Sequence, residues 1–169
     1  FMASNTSTLA TTNGLYEDWI EIHNNSGAAV DLAGWYLTDD PADPRKWRFP
    51  STAVTSPLPN NGYLTVFADG SAEISGELHA SFKLSTGGEF LALVEPDGET
   101  VVYQINPEFP PQTANISYGI DPATGLHAYF ATPTPRAANS QAIADPVQFS
   151  VASRTFTTNF NVMLSVASP

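Results

Sequence analysis

Apolar and polar residues alternate along this chain in short runs that turn formers repeatedly reset. Within Glu17–Asp39 (EDWIEIHNNSGAAVDLAGWYLTD), Ile20 and Ile22 share one face of a period-two strand, and Trp19, Glu21 and His23 share the other. Asn24-Asn25-Ser26-Gly27 groups turn-forming residues. Val30 and Leu32 restart the alternation, and Trp35 and Leu37 continue it with the parity shifted by one. A one-residue slip sends every later side chain to the opposite face unless a bulge absorbs it. Gly34 stands at the slip, and glycine tolerates the backbone angles a bulge requires.

The same pattern predicts further strands near residues 45–49, 62–68, 82–84, 89–95, 100–105, 116–120 and 126–130, with residues 1–4 completing the first strand. In the strand at 62–68, Leu64 and Val66 face one way and Tyr63, Thr65 and Phe67 the other. Asp97-Gly98 predicts a hairpin turn. Polar or proline-rich loops are expected at 5–14, 51–61, 69–78 and 106–114. Many short strands with turn signals between them predict an all-β, two-sheet antiparallel sandwich. No sustained helical periodicity occurs, and no stretch is long and apolar enough to cross a bilayer as a helix.

These residues also carry a resemblance. Trp19-Ile20-Glu21-Ile22-His23-Asn24, followed by Asp31-Leu32-Ala33-Gly34-Trp35-Tyr36-Leu37-Thr38-Asp39, resembles the opening signature of the lamin-tail domain family. Phe49-Pro50, Leu58-Pro59 and Gly62-Tyr63-Leu64 resemble its middle strands. Phe82-Lys83-Leu84 with Gly87-Gly88-Glu89, then Leu91-Ala92-Leu93-Val94 with Asp97-Gly98, resemble the hairpins that follow. Ser117-Tyr118-Gly119 and Pro133-Thr134-Pro135 with Ala138-Asn139 resemble the closing strand and exit. The resemblance implies an immunoglobulin-like fold and a module of the kind found in nuclear lamins and in bacterial secreted and cell-surface proteins. Its structural motif falls here on Trp19, Ile20, Ile22, Gly34, Trp35, Leu37, Tyr63, Tyr118 and Gly119. One departure is Arg136, which stands where bacterial members often carry glycine.

The expected organisation is a lamin-tail-like sandwich at 1–140, a linker at 141–147 and the truncated start of a second immunoglobulin-like module at 148–169. The last segment bears a weak resemblance to modules that follow chitobiase-type enzymes. Two strands alone make no stable sheet, so this tail is expected to pair with an exposed edge or to be poorly anchored. Phe1 is not an initiator residue, so the chain reads as a piece of a longer polypeptide.

Composition narrows the partners. Hydrophobic residues make up 42% of the 169 residues, enough for a sizeable core. Cysteine is absent, so the rings of Trp19, Trp35 and Trp47 are candidates for the packing that a disulfide supplies in many such sandwiches. Six Lys and Arg against 17 Asp and Glu give a net charge of −11. Phosphate neutralisation needs basic groups, and the one basic cluster, Arg45, Lys46 and Arg48, follows Asp39, Asp40 and Asp43 directly. Nucleic acid and anionic membrane surfaces are therefore disfavoured.

Candidate chemistry is sparse. Asp39, Asp40 and Asp43 form an oxygen-rich loop able to bind a hard cation such as Ca2+. Their spacing does not match the helix–loop–helix calcium pattern, and a solvated acidic turn is the simpler reading. His23, His79 and His127 show no metal-ligand spacing. Ser85-Thr86-Gly87-Gly88 lacks the lysine of a phosphate loop, and no GxSxG elbow occurs. Glu17, Asp18 and Glu21 are expected to face solvent rather than form a catalytic pair. Tyr16, Trp19, Tyr36, Tyr63, Tyr118 and Tyr129 either stack on sugars or fill the core and rim, the second being the commoner use. Asn5, Asn24 and Asn115 head glycosylation sequons.

The resulting expectation is a non-catalytic targeting, adhesion or spacer module of a larger extracellular or cell-surface bacterial protein. Its expected partners are other domains of the same polypeptide or surface proteins, and exposed sheet edges leave a weak homodimer open. The alternatives are a carbohydrate-binding module, calcium-assisted or not, and a hydrolase fragment.

Overall fold

A computed structural model describes residues 1–51, 57–71 and 76–143, together with the backbone of 148–149 and 164–165. All its regular elements are strands: β1 (Trp19–His23), β2 (Tyr36–Thr38), β3 (Trp47–Arg48), β4 (Tyr63–Phe67), β5 (Leu91–Val94), β6 (Val101–Ile105), β7 (Ser117–Ile120), β8 (His127–Phe130), β9 (Gln148–Phe149) and β10 (Leu164–Ser165). One layer is a four-stranded sheet in the order β3-β2-β5-β6, antiparallel throughout. The other is assembled from the β1–β4 pair and the β7–β8 hairpin. The segment before β1 joins these two: Met2 bridges Trp19, while the Phe1 carbonyl accepts a 2.9 Å bond from the Tyr118 amide. β9 pairs with β10, and the expected docking of residues 150–163 and 166–169 lies outside the described residues.

Alternation places the core between the layers. Ile20, Leu64 and Val66 project from one layer onto Leu37, Trp47, Leu91 and Ile105 of the other, with Phe49 and Phe109 completing the fill. Trp19 and Phe67 point the opposite way and enclose a second cluster with Met2. The outer face of the four-stranded sheet carries a third group, Phe90, Ala92 and Val94, against which Tyr36 packs. The three tryptophans thus do different work: Trp47 sits edge-on to Phe49 at 4.7 Å in the main core, Trp35 packs at its margin, and Trp19 belongs to the second cluster.

The parity slip is resolved at Gly34. The Gly34 amide donates to the Phe49 carbonyl at 3.0 Å, and the Phe49 amide donates back to the Trp35 carbonyl at 2.8 Å. Two residues therefore oppose one, which defines a bulge, and Gly34 holds φ at +85°. The Trp35 amide closes a turn onto the Leu32 carbonyl at 3.1 Å, so residues 30–38 form a bridge at Val30 and a strand at Tyr36–Thr38 rather than one strand. The bulge lets Leu32 and Leu37 both reach the core despite their shifted parity.

Candidate functional site

The layers do not cover each other completely. Every residue of β6 from Val101 to Gln104 is exposed, although a strand in a closed sandwich should bury one face. β6 ends its sheet, and no backbone hydrogen bond joins Val101–Ile105 to any described element except β5. Behind it lies a cleft of about 580 Å³ between the layers. Ile22 of β1, Leu91 and Leu93 of β5, Val102 and Tyr103 of β6, and Ile120 of β7 form its apolar walls. A volume of this size lies within the roughly 300–1,000 Å³ typical of ligand sites.

An aromatic group closes one side. The strand register sets Tyr118 opposite Tyr129 and Ile120 opposite His127, placing all four on one face of the β7–β8 hairpin. His127 stacks on Tyr118 at 5.5 Å with the rings nearly parallel, and Tyr129 meets Tyr118 edge-on at 4.9 Å. The Tyr103 hydroxyl reaches from β6 to His127 Nε2, spanning the two layers. The Tyr129 hydroxyl donates to the Pro111 carbonyl at 2.7 Å. Burial pushes the His127 pKa down and those of Tyr103, Tyr118 and Tyr129 up, so all four rings favour their neutral forms. His127 covers one face of Tyr118, while Tyr103 stays 42% exposed.

The carboxylates that touch the cleft are Glu21 and Asp121. Glu21 accepts the Arg136 amide, and its pKa is raised, chiefly because burial penalises the charge. Asp121 Oδ1 accepts the Ala123 amide at 3.0 Å, and Oδ2 accepts the Thr124 hydroxyl at 2.9 Å. The expectation that Glu17, Asp18 and Glu21 all face solvent is corrected. Glu21 is partly buried in the cleft wall, and Asp18 accepts the Asn5 amide at 3.1 Å, with its pKa raised by burial. Contacts made by residues 5 and 136, both distant in sequence, cover these two acids, and local alternation does not foresee such long-range cover.

The other candidates serve local structure. Asp39 pairs with Lys46 at 2.6 Å, Asp40 Oδ1 accepts the Ala42 amide at 2.8 Å, and Asp43 Oδ1 accepts the Arg45 amide at 3.2 Å. The Thr38 hydroxyl ties the loop by bonding the Asp40 and Asp43 carbonyls. Among the described residues, no group of three His, Asp or Glu is placed to hold a metal. The three histidines are separated: His23 stacks on Tyr63 at 4.5 Å, His79 Nδ1 meets Asp69 Oδ2 at 2.8 Å, and His127 lies by the cleft.

Two sequon asparagines, Asn5 and Asn24, are buried. The Asn24 Nδ2 donates to the carbonyls of Ala28, Leu58 and Pro59, so it holds two loops together. Of the aromatics, Tyr16 is exposed, Trp19 is buried, Tyr36 packs on the outer cluster and Tyr63 stacks on His23. Gly119, distant in sequence from Asn139, is brought beside it: Asn139 Nδ2 donates to the Ile120 carbonyl at 2.8 Å.

A model of one protein family, described as the Lamin Tail Domain, matches residues 2–106, more than half of the chain. No curated protein and no solved structure matches it. The matched span ends after β6, and the β7–β8 hairpin beyond it is joined to the sandwich through Phe1 and Tyr118.

Proposed function

We infer that this chain, which belongs to the lamin tail domain family, acts as a non-catalytic module for targeting, adhesion or spacing within a larger secreted or cell-surface protein. The observation that carries the reading is how the cleft spends its acids. Glu21 and Asp121 are each tied to main-chain amides, and the wall around them is apolar. A general acid or base works with a partner that takes or supplies the proton, and among the described residues neither carboxylate is hydrogen-bonded to a histidine or to a second acid. A net charge of −11 supports an extracellular setting, where an acidic surface keeps the chain soluble, and supports partners that are other domains or surface proteins rather than nucleic acid.

Carbohydrate recognition is the second reading. The Tyr103, Tyr118, His127 and Tyr129 group favours it, but stacking on a sugar would require His127 to leave the face of Tyr118.

The test is a fusion of the full chain to a fluorescent protein, incubated with bacterial cells and with a glycan array, with and without calcium. Retention on cells without glycan or calcium dependence is expected. Turnover of ester, phosphodiester or glycoside substrates that is lost in Glu21→Gln would overturn the reading.

A further inference from the structure

We propose that β6 and the cleft behind it form an acceptor for an extended, lysine- or arginine-flanked segment of a partner polypeptide, which adds to β6 as a further strand. The proposal deepens the reading of this chain as a binding module and rests on it.

The first ground is the unprotected edge. Native sheets blunt their free edges with charges, prolines, bulges or covering elements. Residues 101–105 (VVYQI) contain no charge and no proline, and no described element pairs with the strand's outer side. One bulge is present at the start of the strand: Leu93 pairs with Tyr103 and Val94 with Val101, leaving Val102 as the extra residue. From Tyr103 to Ile105 the register is regular, so this stretch offers unpaired main-chain groups in ladder geometry.

The second ground is the cleft. An added strand sends alternate side chains inward. The cleft of about 580 Å³ supplies apolar walls for them, including Leu93, Val102 and Ile120. Val102 is 51% exposed, Tyr103 42% and Ile120 39%, so an apolar surface lies open at its mouth.

The third ground is charge, and it selects the occupant. Glu21 and Asp121 touch the cleft, and no Lys or Arg lines it; Arg136 lies close enough to Glu21 to offset part of its charge, which leaves Asp121 as the uncompensated acid. Beyond the two ends of β6 stand Glu99 and Glu108, both exposed. A basic-flanked strand meets opposite charge at both ends. A second copy of this chain would not: antiparallel pairing of two β6 strands brings the Glu99 end of one to the Glu108 end of the other, and each copy carries −11.

The experiment uses the full chain and a fluorescein-labelled synthetic peptide of alternating valine and threonine with paired lysines at each end, read by fluorescence anisotropy. Binding that weakens as salt is raised is expected. Methylating every backbone amide between the flanking lysines abolishes binding, because a strand is read through its main chain and this leaves neither edge able to donate. Val102→Lys weakens binding by at least about tenfold through like-charge repulsion, with the circular-dichroism melt unchanged because Val102 is half exposed. Gln104→Lys, also exposed on β6, provides the same readout should the first variant fold poorly. The proposal is overturned if the methylated peptide binds equally, if both lysine variants bind like wild type, or if folded wild type shows no binding. A wild-type dimer in sedimentation that Val102→Lys splits would overturn it in favour of a second copy as the occupant. Retention on cells that persists in Val102→Lys would remove β6 as the site and leave the binding-module reading standing.

Discussion

Three glycines form a graded test of the backbone that builds this sandwich. Gly27, Gly34 and Gly88 hold φ at +86°, +85° and +103°, a region that costs an L-residue about 1–2 kcal/mol. A methyl group at Gly27 meets nothing within 4 Å, so Gly27→Ala reports the backbone cost alone. At Gly34 the added carbon lies 3.2 Å from Arg48 Nη2, the far end of a flexible side chain that can swing aside. Gly34→Ala should therefore cost about the same 1–2 kcal/mol. At Gly88 it falls 2.2 Å from the Phe109 carbonyl oxygen. Backbone must move there, and Phe109 is fully buried in the main core with its amide bonded to the Glu89 carbonyl. Overpacking of that kind adds about 1–3 kcal/mol, for a total of about 2–5 kcal/mol. For a chain of this size each kcal/mol lowers the melting temperature by roughly 2–4 °C. Urea titration and calorimetry on the three alanine variants give the order Gly88 well above Gly34, with Gly34 near Gly27. Gly34→Asn should recover part of the loss, because asparagine tolerates the left-handed region. A neutral Gly34→Ala, or a Gly88→Ala that costs no more than Gly27→Ala, would refute a backbone that needs glycine at these two positions.

Further outcomes follow from individual contacts. Asn24→Ala removes three side-chain donations, to the Ala28, Leu58 and Pro59 carbonyls, while Leu58 and Pro59 keep the Val30 and Gly62 amides; at about 0.5–1.5 kcal/mol per bond, a loss of about 1–3 kcal/mol is expected in urea titration. Arg136 holds φ at +68°, so Arg136→Gly should be neutral to stabilising by up to about 1 kcal/mol, with its amide still bonded to Glu21. Asp97 takes the Thr100 hydroxyl and the Thr100 and Glu99 amides, which lower its pKa from 3.8 to about 2. Its folded value lies below its unfolded one, so its contribution to the β5–β6 turn is complete above about pH 4 and is lost as pH falls toward 2. Carboxyl NMR titration should place its midpoint below that of an ordinary aspartate and show no such step in Asp97→Asn.

The fold was legible wherever local alternation and turn chemistry agreed. The Ile20/Ile22 and Leu64/Val66 faces, the bulge at Gly34 and the Asp97-Gly98 turn all follow from spacing alone. Arg136 was legible as a departure, and its positive φ gives the physical reason a glycine suits that place. The cleft was not legible. Nothing in VVYQI states that the opposing layer stops short of it, because the cover over a strand depends on contacts far away in sequence. The uncharged run on what becomes an edge strand was the available signal. The Tyr103–His127 contact and the burial of Glu21 by residue 136 were hidden for the same reason.

Residue-resolved amide hydrogen exchange on the free protein tests the central claim most directly, that two β layers close around Ile20, Leu64, Leu91 and Phe109 while β6 stays open. Amides in the β1–β4, β2–β5 and β5–β6 ladders should exchange only with global unfolding, while β6 amides aimed away from β5 exchange quickly. Uniform protection across every β6 amide, or rapid exchange throughout the β1–β4 ladder, would contradict it.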